Sequence, residues 1–189
     1  SPVWWEGEDA EKTNFPATSW FSPQNDQEAG CLSNGKWLSN ADKRKPGSED
    51  AYATYKVNVP ASGEYHLWTR KFWKHGPFKW RFDAQEWQTC GPDCALADSV
   101  TLRTHVSANW VYLGKVKLDA GARIFELRLL AKEGENLTAC FDCFVLSKTV
   151  FLPNGKHKPG ARSGLADAGF FAWEPAPDAF GPEALLDLR

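Results

Sequence analysis

The feature that most constrains the fold is a succession of short segments in which apolar and polar residues alternate, each bounded by turn-forming residues. Residues 51–59 (AYATYKVNV) show the alternation clearly, and residues 60–63 (PASG) follow as a turn. Such alternation is typical of a strand with one buried face. No segment before residue 150 has a convincing helical period, so the pattern predicts an all-β fold, a β-sandwich jelly roll.

The chain divides by composition into two parts. Residues 149–189 are rich in proline and glycine and predict a linker or extension toward a following module, whereas residues 1–148 predict the jelly roll itself. We therefore expect a module of a longer protein. The predicted strands are residues 3–9, 36–40, 51–59, 64–73, 79–84, 99–105, 110–118, 123–131 and 139–147.

A basic–aromatic ribbon, residues 68–81 (WTRKFWKHGPFKWR), departs from the slightly acidic average of the chain, which has a net charge of −2. It lies in a longer stretch, residues 65–82, that contains no Asp or Glu. Flat rings beside fixed cations suit a partner with flat apolar faces and negative charge, such as a sugar or a nucleobase. The candidate ligand-binding residues of the ribbon are Trp68, Arg70, Lys71, Trp73, Lys74, His75, Phe78, Lys79 and Arg81.

The ribbon is predicted to form an antiparallel hairpin around His75-Gly76-Pro77. If Trp73 pairs with Phe78, Arg70 lies opposite Arg81 on an outer face, and Trp80 points into the core. The alternative interpretation is ordinary aromatic packing at a sheet edge with solvated lysines.

Three acidic residues are candidate ligands of a hard cation. Glu6 and Glu8 lie two apart in a predicted strand and therefore point the same way, and Asp142 interrupts an otherwise apolar last strand. If the first and last strands are neighbours, the three carboxylates would enclose one calcium ion. Solvated strand charges are the alternative.

The five cysteines could form a disulfide bond or bind zinc. Cys90 and Cys94 flank a Gly-Pro turn and favour a local disulfide if the protein is secreted. Zinc is disfavoured, because Cys140 and Cys143, three apart in a strand, point to opposite faces.

No catalytic residue is predicted. The four histidines lie in no recognisable nucleophile, zinc or phosphate motif, and Glu6 and Glu8 are too close in one strand for a glycosidase pair. No apolar run approaches the length of a membrane span.

Four segments in order resemble the calcium-containing β-jelly-roll carbohydrate-binding modules of families six, thirty-five and thirty-six, most closely thirty-five. They are WWEGEDA, VNVPASGEYHLWTR, NWVYLGKVKLDAGARIFELRLL and CFDCFVLS, within residues 3–148. The resemblance implies a non-catalytic module with a structural calcium held by Glu6, Glu8 and Asp142. A loop asparagine often contacts sugar in these families, and Asn136 is the nearest match, although it stands further from Asp142 than usual.

These observations predict a monomeric carbohydrate-binding module beside a catalytic module, a glycoside hydrolase or polysaccharide lyase, in an extracellular or periplasmic protein. The acid-free ribbon predicts an acidic polysaccharide or oligosaccharide, uronic-acid-containing or sulfated. The alternative is a structural or docking module that orients the catalytic domain without binding sugar. Nucleic acid is disfavoured by the overall acidity and the expected secretion.

Overall fold

The computed structural model describes residues 2–41, 49–130 and 138–160, which form two antiparallel β-sheets packed face to face. Sheet A consists of β1 (Val3–Glu6), β3 (Leu38–Asn40), β5 (Gly63–Phe72), β8 (Ala97–Arg103), β9 (Val106–Leu118) and β11 (Ala139–Ser147). Sheet B consists of β2 (Lys12–Thr13), β4 (Tyr52–Val59), β6 (Phe78–Phe82), β7 (Gln88–Cys90) and β10 (Gly121–Leu129). A short helix, α1 (Asp26–Ala29), lies in the loop between β2 and β3. The predicted all-β sandwich is confirmed.

The strand order follows a jelly-roll pattern in which the two ends of the body meet. Sheet A runs β1-β11-β5-β9-β8, with β3 also paired to β11, and sheet B runs β2-β4-β10-β6-β7. β1 pairs with β11, so that Trp5 lies opposite Phe144 and Glu6 opposite Cys143. The first and last strands of the body are therefore neighbours, which is the condition for bringing the three acidic residues together.

The core between the sheets is unusually aromatic. Phe125 of sheet B lies 5.5 Å from Trp5 and 5.1 Å from Phe144 of sheet A, measured between ring centroids. Along β4 the inward positions Tyr55 and Val57 are buried, as the alternation predicts. Burial of these large side chains is the main favourable term in the folding free energy.

The outer face of sheet A is also covered, because the chain after β11 returns across it. Phe151 is buried with its ring 4.8 Å from that of Trp110, and the Trp110 indole donates a hydrogen bond of 2.9 Å to the carbonyl oxygen of Gly155. Trp4 packs edge-on against Trp110 at 5.5 Å. β11 is therefore buried on both faces. The rest of the predicted extension, residues 161–189, lies outside the described residues.

The predicted ribbon hairpin is wrong, because its two strands belong to different sheets. β5 lies between β11 and β9 in sheet A, where Arg70 is opposite Cys143 and Trp110. β6 lies between β10 and β7 in sheet B. The crossing segment, residues 73–77, carries the chain from one sheet to the other, and Pro77 accepts a hydrogen bond of 2.8 Å from the amide of Leu130.

Replacing Trp110 with alanine tests the double-sided packing of sheet A. We expect Trp110→Ala to lower the free energy of unfolding by about 3–5 kcal/mol, because a fully buried indole is lost and a cavity remains. Trp20→Ala, at a side chain that is 61% exposed, should change it by less than about 1 kcal/mol. Urea denaturation of both variants measures the difference, and equal losses would contradict the assignment.

Candidate glycan-binding surface and acidic cluster

The outer face of sheet B gathers charged and aromatic side chains from four neighbouring segments. Strand register places Arg128 of β10 opposite Tyr52 of β4 on one side and Lys79 of β6 on the other. Glu126 lies opposite Arg81 in the next row. The basic face, as we call it, comprises Tyr52, Lys79, Arg81, Trp87, Glu126 and Arg128.

Glu126 holds the two arginines of the basic face in place. Its Oε1 lies 3.4 Å from Nη2 of Arg81, and its Oε2 lies 2.9 Å from Nη2 of Arg128. With Lys79, three cations face one carboxylate, so the surface is locally positive in a protein that is negative overall. Nε of Arg81 is buried without a hydrogen-bond partner. Glu126 holds both guanidinium groups while their side chains stay 31% and 33% exposed, so an anion can reach them.

Cations and rings are in contact on this face. Nζ of Lys79 lies 4.4 Å from the ring centroid of Trp87, and Cζ of Arg81 lies 4.2 Å from it. Cζ of Arg128 lies 5.0 Å from the centroid of Tyr52. Such cation–π contacts contribute about 0.5–1 kcal/mol each at exposed sites. They also favour the observed side-chain arrangement before any ligand arrives.

Four of the predicted ligand-binding residues are buried, and a surface role for them is contradicted. Arg70, Lys71 and Phe78 are fully enclosed, and His75 is nearly so. Their enclosure follows from the crossing between sheets, which turns β5 so that Arg70 meets a buried carboxylate. Nζ of Lys71 donates a hydrogen bond of 2.9 Å to the carbonyl oxygen of Phe72.

The remaining ribbon residues lie on sheet A and at one loop end. Trp68 is half-buried on the outer face of sheet A, 5.1 Å from the Tyr112 ring. Trp73 is 36% exposed, and Nζ of Lys74 lies 5.9 Å from its ring centroid. Asn136 lies outside the described residues.

Three residues of the exposed surfaces were missed by the sequence analysis. Trp87 lies beyond the acid-free stretch and outside every predicted strand, and Tyr52 and Arg128 lie at ordinary outward positions of predicted strands. Their outward alternation was the only available signal, and it does not reveal which strands are neighbours. A separate exposed ring, Trp20, has Cζ of Arg103 at 4.8 Å from its centroid.

The predicted calcium ligands form an acidic cluster around the loop after α1. Ser33 donates from its amide to Oδ1 of Asp142 at 3.0 Å and from its hydroxyl to Oε1 of Glu6 at 2.8 Å. Asn34 donates to Oε2 of Glu8 at 3.3 Å. Oε2 of Glu6 and Oε1 of Glu8 are buried and have no hydrogen-bond partner. Two unsatisfied carboxylate oxygens are groups that a hard cation would satisfy.

Burial perturbs the acids of this cluster. It raises the pKa of Glu8 to about 7, and the neighbouring charge of Glu6 adds to the shift. It also raises the pKa of Asp142 to about 6, although the guanidinium of Arg70 acts in the opposite direction. Nη1 of Arg70 lies 2.8 Å from Oδ2 of Asp142, and both side chains are fully buried.

The cysteines do not form the predicted local bridge. All five are free thiols, and the sulfur atoms of Cys90 and Cys94 lie beside the His75 ring instead of bonding to each other. Cys140 and Cys143 are buried in β11. Among the described residues no helix is long and apolar enough to cross a membrane.

Comparisons with known proteins place the chain by fold. No protein-family model and no curated protein matches the sequence. A Podospora anserina GH26-CBM35 β-(1,4)-mannanase is 14% identical over 80% of this chain and 28% of its own, with a TM-score of 0.44. A carbohydrate-binding module of Cellvibrio mixtus lichenase 5A, solved with cellotriose, is 16% identical over 79% and 98%, with a TM-score of 0.48.

The insecticidal crystal protein Cry2Aa gives a TM-score of 0.51 at 9% identity, over 77% of this chain and 21% of its own. The chain thus spans just over a quarter of the mannanase and nearly all of the lichenase module. At such identities the likeness is one of fold alone. The match to Cry2Aa, with its TM-score of 0.51, agrees with the β-sandwich seen in the strand arrangement.

Two arginine–carboxylate pairs provide a matched test of the site's structural part. We expect Arg70→Ala to lower the free energy of unfolding by about 3–5 kcal/mol, because it leaves the buried Asp142 carboxylate without its counter-charge. Arg81→Ala removes a partly exposed ion pair with Glu126 and should lower the free energy of unfolding by less than about 1 kcal/mol. Chemical denaturation at pH 7 measures both, and a small loss for Arg70→Ala would refute the assigned role of the pair.

Proposed function

We propose that this chain is a non-catalytic carbohydrate-binding module whose basic face binds an acidic glycan, uronic-acid-containing or sulfated. The observation that carries the proposal is the array of three cations and two aromatic rings, all partly exposed, on the outer face of one sheet. The four sequence motifs that resemble family six and thirty-five modules support assignment as a module. The surface chemistry supports an anionic ligand.

The geometry of the basic face suits carboxylate or sulfate groups on a sugar chain. Guanidinium groups bind such anions through two parallel hydrogen bonds, and the rings of Tyr52 and Trp87 offer apolar contact to pyranose faces. Glu126 keeps Arg81 and Arg128 ordered, so little side-chain entropy is lost on binding. We expect micromolar to millimolar affinity, about −4 to −8 kcal/mol.

The proposed parent is an extracellular or periplasmic polysaccharide-active protein in which the module accompanies a catalytic domain. The module brings that domain to its substrate and has no catalytic role of its own. A docking module that binds no sugar is the competing assignment, and the binding experiment decides between them.

Binding calorimetry with oligogalacturonate, a sulfated galactan and neutral xylo-oligosaccharides tests the ligand class. We expect the anionic ligands to bind more tightly, and their affinity to fall as salt rises, since the contacts are between exposed charges. Arg81→Gln should weaken binding by about tenfold, equivalent to about 1.4 kcal/mol. Trp87→Ala should weaken it by a similar factor through lost ring contact.

Arg123→Gln is the matched control. Arg123 has the same side-chain exposure as Arg81, 31%, and the same 3.4 Å distance to its carboxylate partner, Asp83, but it lies off the basic face. The Arg123→Gln variant should bind the anionic glycans as tightly as the unmodified protein.

Preference for neutral xylan at moderate salt would refute the acidic ligand. Loss of binding in Trp20→Ala and Trp73→Ala alone would move the site to the loop end, and no binding to any glycan would favour the docking role.

We also propose a structural calcium ion at the acidic cluster. The unsatisfied oxygens of Glu6 and Glu8 are its principal ligands, and Asp142, already paired with Arg70, contributes negative charge nearby. Bound calcium would offset the mutual repulsion of these acids and fix the loop at Ser33 and Asn34 to β1. Its role is structural and lies outside the glycan contacts.

Calcium added to metal-free protein should raise the melting temperature. At a concentration of about 100 times the dissociation constant, the stabilisation is about 2.7 kcal/mol. Glu8→Gln should abolish the response, whereas Glu64→Gln, at an exposed residue paired with Lys115 on sheet A, should retain it. Scanning calorimetry measures the shift, and an unchanged melting temperature in the unmodified protein would count against the site.

A further inference from the structure

Side chains from three different segments meet where the crossing segment joins the two sheets. His75 lies in that segment, Cys90 ends β7, and Cys94 follows in the next loop. Their ligand atoms all lie within 4.8 Å of one another, and within the described parts of the chain no other group of three His, Cys, Asp or Glu side chains is so close. We propose that these three residues bind a zinc ion.

The ligand set and its spacing suit zinc. Zinc prefers thiolate and imidazole ligands in tetrahedral geometry, with bonds of about 2.3 Å to sulfur and about 2.0 Å to nitrogen. Two ligand atoms of such a tetrahedron are about 3.5–3.8 Å apart. Nε2 of His75 lies 3.4 Å from Sγ of Cys94, which is close to this separation before any metal is present.

The imidazole of His75 is already oriented as a ligand. Its Nδ1 contacts the carbonyl oxygen of Gly76, which can only accept, so Nδ1 carries the proton. In the neutral ring Nε2 then presents its lone pair toward Cys94. A hydrogen bond from the second ring nitrogen to a carbonyl is the usual support of a metal-bound histidine, because it fixes the tautomer and the ring plane.

Lys71 supplies a second, independent indication of negative charge at this place. Its side chain is fully buried near Cys90, Cys94 and Cys140, burial lowers the pKa of its ammonium group to about 8, and none of the carboxylates in the described residues forms an ion pair with it. A buried ammonium without a counter-charge is costly. Two metal-bound thiolates would provide that counter-charge, with the thiol protons released to solvent as the metal binds.

The three ligands leave a fourth position for water. Cys90 and His75 are buried and Cys94 is half-exposed, so a metal ion has an entry path from the Cys94 side. Zinc here would tie the crossing segment to the loop after β7. It therefore acts on the connection between the sheets, whereas the acidic cluster lies at β1 and β11.

Cobalt(II) titration of the reduced, metal-free 189-residue chain tests the site, because cobalt substitutes for zinc and is visible by absorption. We expect one equivalent to produce thiolate-to-cobalt charge-transfer bands and the intense d–d bands of tetrahedral cobalt, both removed by added zinc. Cys94→Ser, at a half-exposed loop position that should not disturb folding, is expected to weaken binding by more than ~100-fold, beyond the effect of losing a group that only orients a ligand. His75→Gln should give the same loss.

Cys31→Ser is the matched control, since Cys31 is also a half-exposed free thiol but lies after α1. It should keep the spectrum and the affinity. Absence of charge-transfer bands in the unmodified protein, or their retention in Cys94→Ser, would overturn the zinc site. Alkylation mapping of protein purified with zinc and without reductant provides a separate check. Protected, reduced Cys90 and Cys94 support the site, and a Cys90–Cys94 disulfide contradicts it.

Discussion

The buried ion pair between Arg70 and Asp142 is the constraint on which the rest of the structure depends. Neither charge is tolerable in the core alone, so β5 must lie beside β11. The same groups secure the loop after α1, because Arg70 also donates to the carbonyl oxygen of Cys31 and Asp142 accepts from the amide of Ser33. With β5 held in sheet A, the chain has to cross to sheet B before β6. Because β9 pairs with the other edge of β5, no edge is left for β6, and the ribbon is divided between the two sheets.

The all-β class and the alternating core positions were predictable from the sequence, whereas the adjacency of β1 and β11 entered only as a condition of the calcium hypothesis. A period of two fixes which side chains of a strand share a face, but it does not specify the partner strand. Trp80 and Phe82 point inward whether β6 pairs with β5 or with β10. A hairpin of β5 with β6 and a crossing between the sheets therefore require the same alternation of apolar and polar residues in β6, and the sequence does not distinguish them. The decisive fact, that Arg70 meets a carboxylate of the last strand, is a long-range contact.

The residues of the basic face likewise differ in whether the local sequence predicts them. Lys79 and Arg81 were predicted because cations and rings are adjacent in the sequence. Tyr52 and Arg128 join them only through strand register, about which neither local composition nor charge gives information. The metal group shows the same limit in part, since the spacing of Cys90 and Cys94 marks them as a pair in the sequence, whereas nothing local connects them with His75. Strand pairing in the sandwich brings together residues that no local sequence motif connects.

The covering of sheet A by Phe151 has a consequence for how the molecule meets its surroundings. One broad side of the sandwich is occupied by the protein's own chain, while the basic face on the opposite sheet has no such cover among the described residues. The two broad sides of the sandwich therefore differ, since the outer face of sheet A is covered by the chain and, in the described part of the chain, the outer face of sheet B is open to solvent. A polymer lying along the uncovered side would therefore meet the module on sheet B alone.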